Sequence, residues 1–258
     1  MLKFSLLVPT RGRIESLKRY LKSVSDTVGH PEDIEVLLVY DNDDLETIEA
    51  LEGLKEEYKH LSLSCYETTR TEFSNENYYN FLARKAKGRY IWANANDLVF
   101  LVANWDIKLW FKLNYFMIDK PDRLVCANIL DNTPGPGNPP ADKKEFPCFP
   151  LFSREVLDVL GFILAPQLPT WGADRYAYRL FSQVERFLVI NNEVYLDHIS
   201  YHKDYKTVKA DDLTTRAGDL CAKYAKLPKH DYHKQTPIIL QQAKQLKEYI
   251  NERKLDHA

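Results

Sequence analysis

The chain of 258 residues has room for one large domain or two small ones, and for a substantial buried core. Its formal net charge of −2 leaves no basic footprint for nucleic acid. No apolar run reaches the roughly 18 residues needed to cross a bilayer, and the few apolar residues after Lys3 fall short of the roughly 7–15 of a signal-peptide core. Cys65, Cys126, Cys148 and Cys221 are scattered, with no C-x-x-C spacing, which argues against a zinc site and fits a reducing compartment. The expectation is a soluble, cytoplasmic protein, free to visit the inner face of a membrane through a partner.

Phe4–Val8 is a compact apolar run and reads as a buried strand, ended by Pro9. Thr10 to Arg13 form a polar turn, and Leu17, Tyr20, Leu21 and Val24 follow at helical spacing. Val36–Tyr40 is a second strand, broken by the turn and cap residues Asp41-Asn42-Asp43-Asp44. Ile48, Leu51, Leu54 and Tyr58 mark another helix, Leu61–Tyr66 a weaker strand, and Asn77 to Lys87 a helix stopped by Gly88. Tyr90–Ala93 is the next strand. Strands alternating with helices imply βαβ units and a mostly parallel sheet.

The pattern changes after about Asn128. Residues 131–150 hold six of the 13 prolines and read as a long loop, a length that is usually functional or disordered. Arg154–Leu160 reads as a helix ending at Gly161. A further helix lies within Trp171–Val184, with Asp174 in its first turn. Val194–Leu196 reads as a strand end followed by His198 and His202. From about Asp211 the tail is polar and helical; Thr236-Pro237 reads as a cap and a first-turn proline, and Ile239, Ala243, Leu246 and Ile250 give the last helix one apolar stripe.

Four polar clusters follow apolar runs: Thr10-Arg11, Asp41-Asn42-Asp43, Asn94-Ala95-Asn96-Asp97, and His198 with His202. In an open parallel sheet, ligands collect outside the carboxyl ends of the strands. Asp41 suits a nucleobase N–H or a ribose hydroxyl, or else it or Asp43 caps the next helix. Arg11 matches diphosphate oxygens, or is a surface arginine in a turn. Asp97 suits a divalent cation bridging two phosphates, or is a strand-end turn residue. Asn94 offers a carbonyl oxygen without charge. Asp174 suits a general base kept ionised by a helix N-terminus, or is a first-turn acid paired with Arg175 or Arg179. His198 and His202, four apart, share a face in either a helix or a strand, and either can ligate a metal.

Taken together, these segments resemble a GT-A fold glycosyltransferase, close to glycosyltransferase family 2, over roughly Phe4 to His202. FSLLVPTRGRIESLKRYLKSV resembles that family's opening strand, turn and helix, and EVLLVYDNDDLET its second strand with the nucleotide-binding aspartate at Asp41. NYYNFLARKAKGRYIWANAND resembles the approach to the DXD motif, whose acids align with Asn94 and Asn96, leaving Asp97 as the one carboxylate. FPLFSREVLDVLGFI and WGADRYAYRL resemble the acceptor-side segment, with the catalytic aspartate at Asp174; its usual Glu-Asp pair reads Ala173-Asp174.

The resemblance implies an α/β, Rossmann-like, mostly parallel sheet flanked by helices, with a C-terminal helical tail. It divides the chain into residues 1–205 (a nucleotide-binding half, 1–100, and an acceptor-side half, 101–205, with 131–150 as lid or acceptor wall) and a helical extension, 206–258. It implies inverting transfer from a nucleoside diphosphate sugar, most often a UDP-sugar, to the hydroxyl of a carbohydrate, lipid-linked or protein acceptor. Thr10, Arg11, Asp41, Asn94 and Asp97 would hold the nucleotide, and Asp97 and His198, or less readily His202, a divalent Mn2+ or Mg2+. Asp174 would be the base. Peripheral membrane association stays open. The alternatives are a non-catalytic nucleotide-sugar-binding protein, favoured by the degenerate DXD motif, and a nucleotidyltransferase, which the single glycine of PTRGR disfavours.

Overall fold

The computed structural model describes residues 2–131, 147–170, 172–199 and 236–256. One eight-stranded sheet runs through it in the order β3-β2-β1-β4-β7-β6-β8-β5. Its strands are β1 (Phe4–Thr10), β2 (Ile34–Asp41), β3 (Ser62–Thr68), β4 (Tyr90–Ala93), β5 (Leu98–Phe100), β6 (Cys126–Asp131), β7 (Leu151–Ser153) and β8 (Phe187–His198). The helices are α1 (Ile14–Thr27), α2 (Leu45–Glu57), α3 (Phe81–Lys85), α4 (Trp105–Phe116), α5 (Arg154–Leu160), α6 (Ala173–Gln183) and α7 (Thr236–Leu255).

Strands β1 to β4 are mutually parallel, β7 runs against both β4 and β6, β8 is parallel to β6, and β5 runs against β8. The mostly parallel, helix-flanked sheet is therefore as expected. Strands β1, β2, β4, β6 and β8 consequently all end at one edge, called the rim below. The chain leaves β1 outward to β2 and β3, then returns to place β4 on the other side of β1. That reversal is a topological switch point, where ligands of open α/β sheets bind.

The alternation of strand side chains assigns the two faces. Phe4, Leu6 and Val8 of β1 join one core with Leu17, Tyr20, Leu21 and Val24 of α1, Leu51 and Leu54 of α2, and Trp105, Leu109 and Leu113 of α4. Leu7 points the other way, into a core shared with Leu82 of α3, Val156 of α5 and Tyr176, Ala177 and Leu180 of α6. Ile239, Ala243, Leu246 and Ile250 of α7 are buried in this second core, so the apolar stripe of the last helix packs on the chain's own α5 and α6. The far end of the sheet is held by buried Glu35, which accepts hydrogen bonds from Ser5 Oγ at 2.6 Å and from Gly88 N at 3.2 Å. Gly88 lies so close to β1 that a Cβ would stand 2.7 Å from Phe4 C, which explains a glycine at the entry to β4.

Several elements differ from their sequence-based outlines. Strand β4 covers Tyr90–Ala93 as expected, but after the turn at residues 94–97 a further short strand, β5, begins at Leu98. Strand β8 is much longer than Val194–Leu196. Helix α7 starts at Thr236 rather than after it. The region Asn77–Lys87 opens with a π-helical turn, Asn75–Asn80, before α3. Most of loop 131–150, together with Trp171, His202, Cys221 and the tail before Thr236, lies outside the described residues. Among the described residues, no helix is long and apolar enough to cross a membrane.

Candidate active site

The clusters Thr10-Arg11, Asp41-Asn42-Asp43 and Asn94–Asp97, and His198 of the fourth, leave the sheet at the rim, and several of their side chains touch. At the switch point, Asn96 Nδ2 donates to Thr10 Oγ1 at 2.9 Å, joining the end of β1 to the turn after β4. Thr10, Asn94, Asn96 and Asp97 are all buried. Asn94 Nδ2 donates to Trp92 O at 3.2 Å, whereas its Oδ1 has no partner among the described residues.

Asp97 and His198 meet for a reason of register. Leu98 opposes His198 between β5 and β8, and Ile199 N donates to Asp97 O at 3.0 Å. Asp97 Oδ2 consequently lies 3.5 Å from His198 Nε2, and the same oxygen lies 3.7 Å from Arg13 Nη1. The Phe149 ring packs nearly perpendicular to the imidazole, with ring centroids 4.9 Å apart. Among the described residues no three His, Cys, Asp or Glu side chains gather as a metal site. Two donors do face each other, spaced so that one small cation can bridge them, and magnesium commonly takes one or two protein ligands and completes its shell with phosphate and water.

At the end of β2 the capping question resolves. The cap of α2 is Asp44, whose carboxylate accepts from Thr47 N at 3.4 Å and from Thr47 Oγ1 at 2.5 Å; neither Asp41 nor Asp43 has that role. Gly12, held at φ 55°, brings its N–H to Asp44 Oδ2 at 2.9 Å, a left-handed turn that favours glycine. Arg11 is not a lone surface arginine. It bonds Asp41 Oδ2 at 2.9 Å and grips both oxygens of Asp43. The hydrogen bond to Arg11 lowers the Asp43 pKa, with a smaller contribution from nearby Arg70, and the bond to Asp43 raises that of Arg11. Asp41 itself is buried and accepts a second bond, 2.5 Å, from Tyr78 Oη.

Tyr78 belongs to the π-helical turn, which links the two halves of the site. Its neighbour Tyr79 donates from Oη to Asn94 O at 2.9 Å; burial, and then the charge of Asp97, raises the Tyr79 pKa. Asn75 Nδ2 donates to Leu168 O at 2.8 Å and to Thr170 O at 3.0 Å. Asn80 Nδ2 donates to Leu164 O at 2.7 Å while its Oδ1 accepts from Ile163 N and Leu164 N. One turn thus holds Asp41, the DXD-like turn and the segment leading to α6. π-Turns recur at functional sites because the extra residue redirects side chains within a helix. Asp174 stands in the first turn of α6, and its Oδ1 accepts from Arg175 N at 2.7 Å. Thr170, four residues before it in sequence, is bonded to Asn75 of the π-helical turn. Beside Asp41, where Asn42 N donates to Thr68 O, a polar pocket of about 370 Å3 opens against Thr69, Arg70, Thr71, Asn77 and Arg84.

Sequence reasoning passed over Arg13, Asn75, Tyr78, Tyr79 and the Thr69–Thr71 pocket. Arg13 sat in plain view within PTRGR, in a turn already assigned to the site. The tyrosines carry no such signal, since their roles depend on a π-turn that hydrophobic periodicity does not distinguish from an ordinary helix.

The profile of glycosyl transferase family 2 matches residues 5–159. No curated protein matches the chain in sequence. Among solved structures, residues 1–349 of S. aureus TarS in complex with UDP-GlcNAc superpose with a TM-score of 0.58 at 16% identity, covering 91% of this chain and 74% of that one. The mannosyltransferase PcManGT from Pyrobaculum calidifontis, in complex with GDP-Man and Mn2+, gives 0.60 at 15% identity over 93% and 72%. GalNAc-T7 with UDP, GalNAc and Mn2+ gives 0.65 at 15% identity over 99% of this chain and 57% of that one. At such identities the likeness shows the fold, which is GT-A. The matched residues 5–159 run from β1 into α5 and include Thr10, Arg11, Asp41 and Asp97. With that match spanning more than half of its length, the chain belongs to glycosyl transferase family 2.

Proposed function

We propose that the protein transfers a sugar from a nucleoside diphosphate sugar, of the UDP class, to an acceptor hydroxyl with inversion at the anomeric carbon. The observation that carries this reading is the meeting at one switch-point rim of Thr10, Arg11, Asp41, Asn94, Asp97 and His198, drawn from four strand ends. The nucleotides and sugars bound by the superposed TarS, mannosyltransferase and GalNAc-T7 structures support it.

In this reading the nucleoside lies over the ends of β1 and β2. The buried Asp41 carboxylate accepts from the base or ribose, with Tyr78 and Arg11 fixing its position. The pocket at Thr69–Thr71 receives the outer part of the nucleotide. Asp97 and His198 would hold a divalent cation, which when bound would supply Lewis-acid stabilisation of the leaving diphosphate. Arg13, whose guanidinium already neighbours Asp97, adds a second positive charge on the same side. Asp174 takes the proton from the acceptor hydroxyl as its oxygen forms the new bond to the anomeric carbon. The bond from that carbon to the diphosphate oxygen breaks, and its electron pair leaves with the nucleoside diphosphate. A single in-line displacement of this kind inverts the centre through an oxocarbenium-like transition state.

Asn94 and Asn96, in place of acids, favour a second reading: a non-catalytic protein that binds nucleotide sugars. Release of free UDP, GDP and other nucleoside diphosphates from a panel of donors, with and without Mn2+, tests both. Release that rises on adding acceptor supports transfer. Thermal stabilisation by a donor without release under any acceptor would replace transfer by binding.

A further inference from the structure

Helix α4 is apolar on two sides. Its inner side buries Trp105, Leu109 and Leu113. On its outer side Phe111, Tyr115 and, just past the helix end, Ile118 are exposed to 69%, 76% and 80%. Steps of four and three residues align them on one face. Such a helix is ordinarily enclosed by protein or placed against an apolar phase. Here the outer stripe borders a shallow groove of about 920 Å3 that reaches Lys254 at the end of α7.

The surroundings of the stripe are basic in a chain whose net charge is −2. Lys120, Arg123 and Lys254 line the groove against one acid, Asp119, which pairs with Lys120 at 2.8 Å. Lys108 and Lys112 add positive charge along the helix; Lys112 pairs with Glu193 at 2.8 Å. Large exposed apolar side chains inside a cationic border match the interface of a membrane, where aromatic rings sit at headgroup level and basic residues meet anionic lipid. A second copy of the chain fits less well, because an isologous contact sets the same basic border against itself.

We propose that this face of α4 docks the protein on an anionic lipid surface. The placement in the fold gives the docked protein an orientation. Trp110 of the same helix packs on Lys3 and Tyr90, at the beginnings of β1 and β4, so α4 lies towards the edge opposite the rim. Donor and acceptor then approach the rim from the aqueous side.

Sedimentation of the full chain with phosphatidylcholine vesicles, with or without phosphatidylglycerol, tests it. The unaltered protein is expected to pellet with the anionic vesicles, to stay in solution with the neutral ones, and to be released by salt. A Phe111→Ser/Tyr115→Ser variant and a Lys120→Glu/Arg123→Glu variant are each expected to bind roughly tenfold more weakly, with unchanged circular dichroism. Absence of phosphatidylglycerol-dependent binding by the unaltered protein overturns the proposal without any variant. Wild-type binding by both variants also overturns it. So does a dimer in solution that the Phe111→Ser/Tyr115→Ser change dissociates, which assigns the face to a second copy.

Discussion

Asp97 Oδ2 and His198 Nε2 stand 3.5 Å apart because Leu98 and His198 are register partners between β5 and β8. The contact is therefore built into the sheet rather than left to a flexible loop. With Asp97 the one carboxylate beside His198 among the described residues, a cation held there would draw on the nucleotide's phosphates for the rest of its shell. Asp97→Ala is expected to weaken UDP binding and to abolish any increase in UDP affinity on adding Mn2+, as read by calorimetry. His198→Ala should reduce the Mn2+ effect while leaving metal-free UDP binding closer to that of the unaltered protein. If Mn2+ strengthens UDP binding equally in all three proteins, neither residue is a ligand.

Asp41 is buried between Tyr78 and Arg11, so its readiness to accept from a nucleoside depends on two neighbours. Tyr78→Phe deletes little volume but removes both the bond donated to Asp41 and the one accepted from Thr71 N. The loss is expected to be about 1–3 kcal/mol, shared between fold stability and UDP affinity, since a buried carboxylate oxygen loses a donor. Asp41→Ala should cut UDP affinity further and leave both Tyr78 and Arg11 without this partner. Calorimetry of UDP against the three proteins checks the order: unaltered tightest, Tyr78→Phe intermediate, Asp41→Ala weakest. Equal affinities would reduce Asp41 to a structural acceptor.

The parts of this architecture that were legible in sequence are those that periodicity and punctuation encode. The run Phe4–Val8, the break at Pro9, and the helical spacing of Leu17, Tyr20, Leu21 and Val24 give β1 and α1 directly. The strand ends at Thr10, Asp41 and Ala93 locate the rim because polar residues follow apolar runs there. Short strands were harder: β5 and β7 have three residues each, too few for any alternation to register, and they are strands because of their neighbours. Helix α4 left no clear helical pattern since it is apolar on both sides. The partners of Asp41 were illegible for a different reason. Tyr78 reaches it from the π-turn across 37 positions of sequence, and no local spacing announces that contact.

A buried ion pair far from the proposed chemistry gives the fold a definite acid response. Arg186 donates from Nε to Asp122 Oδ1 at 2.9 Å and from Nη2 to Oδ2 at 2.8 Å, and both side chains are buried. Burial alone would raise the Asp122 pKa, but the guanidinium fork and the N–H of Leu124 outweigh it and hold the pKa below the ordinary aspartate value of 3.8. A depressed carboxylate contributes its stability above its unfolded pKa and loses it as pH falls through the folded one. The pair is therefore expected to be at full strength at neutral pH and to fail only below about pH 4. Asp122→Asn leaves Arg186 buried without its counter-charge and should cost about 3–5 kcal/mol at pH 7. Urea unfolding at pH 7 and pH 3 checks this; the gap between the two proteins should shrink at the lower pH.

Asp174 offers the sharpest separation of chemistry from binding. Its Oδ1 accepts from Arg175 N, a bond that an asparagine oxygen can also accept, so Asp174→Asn should preserve the first turn of α6. What the substitution removes is the basicity needed to take a proton from an acceptor hydroxyl. A positioned general base contributes roughly 10²- to 10⁴-fold, and the transfer rate at saturating donor should fall by that order. UDP affinity should stay nearly unchanged, because the nucleotide contacts proposed above fall to Thr10, Arg11, Asp41, Asn94 and Asp97 rather than to Asp174. The result that sinks the assignment is a variant that turns over as fast as the parent; a variant that loses UDP binding in proportion to its rate would instead mark Asp174 as a donor-site residue.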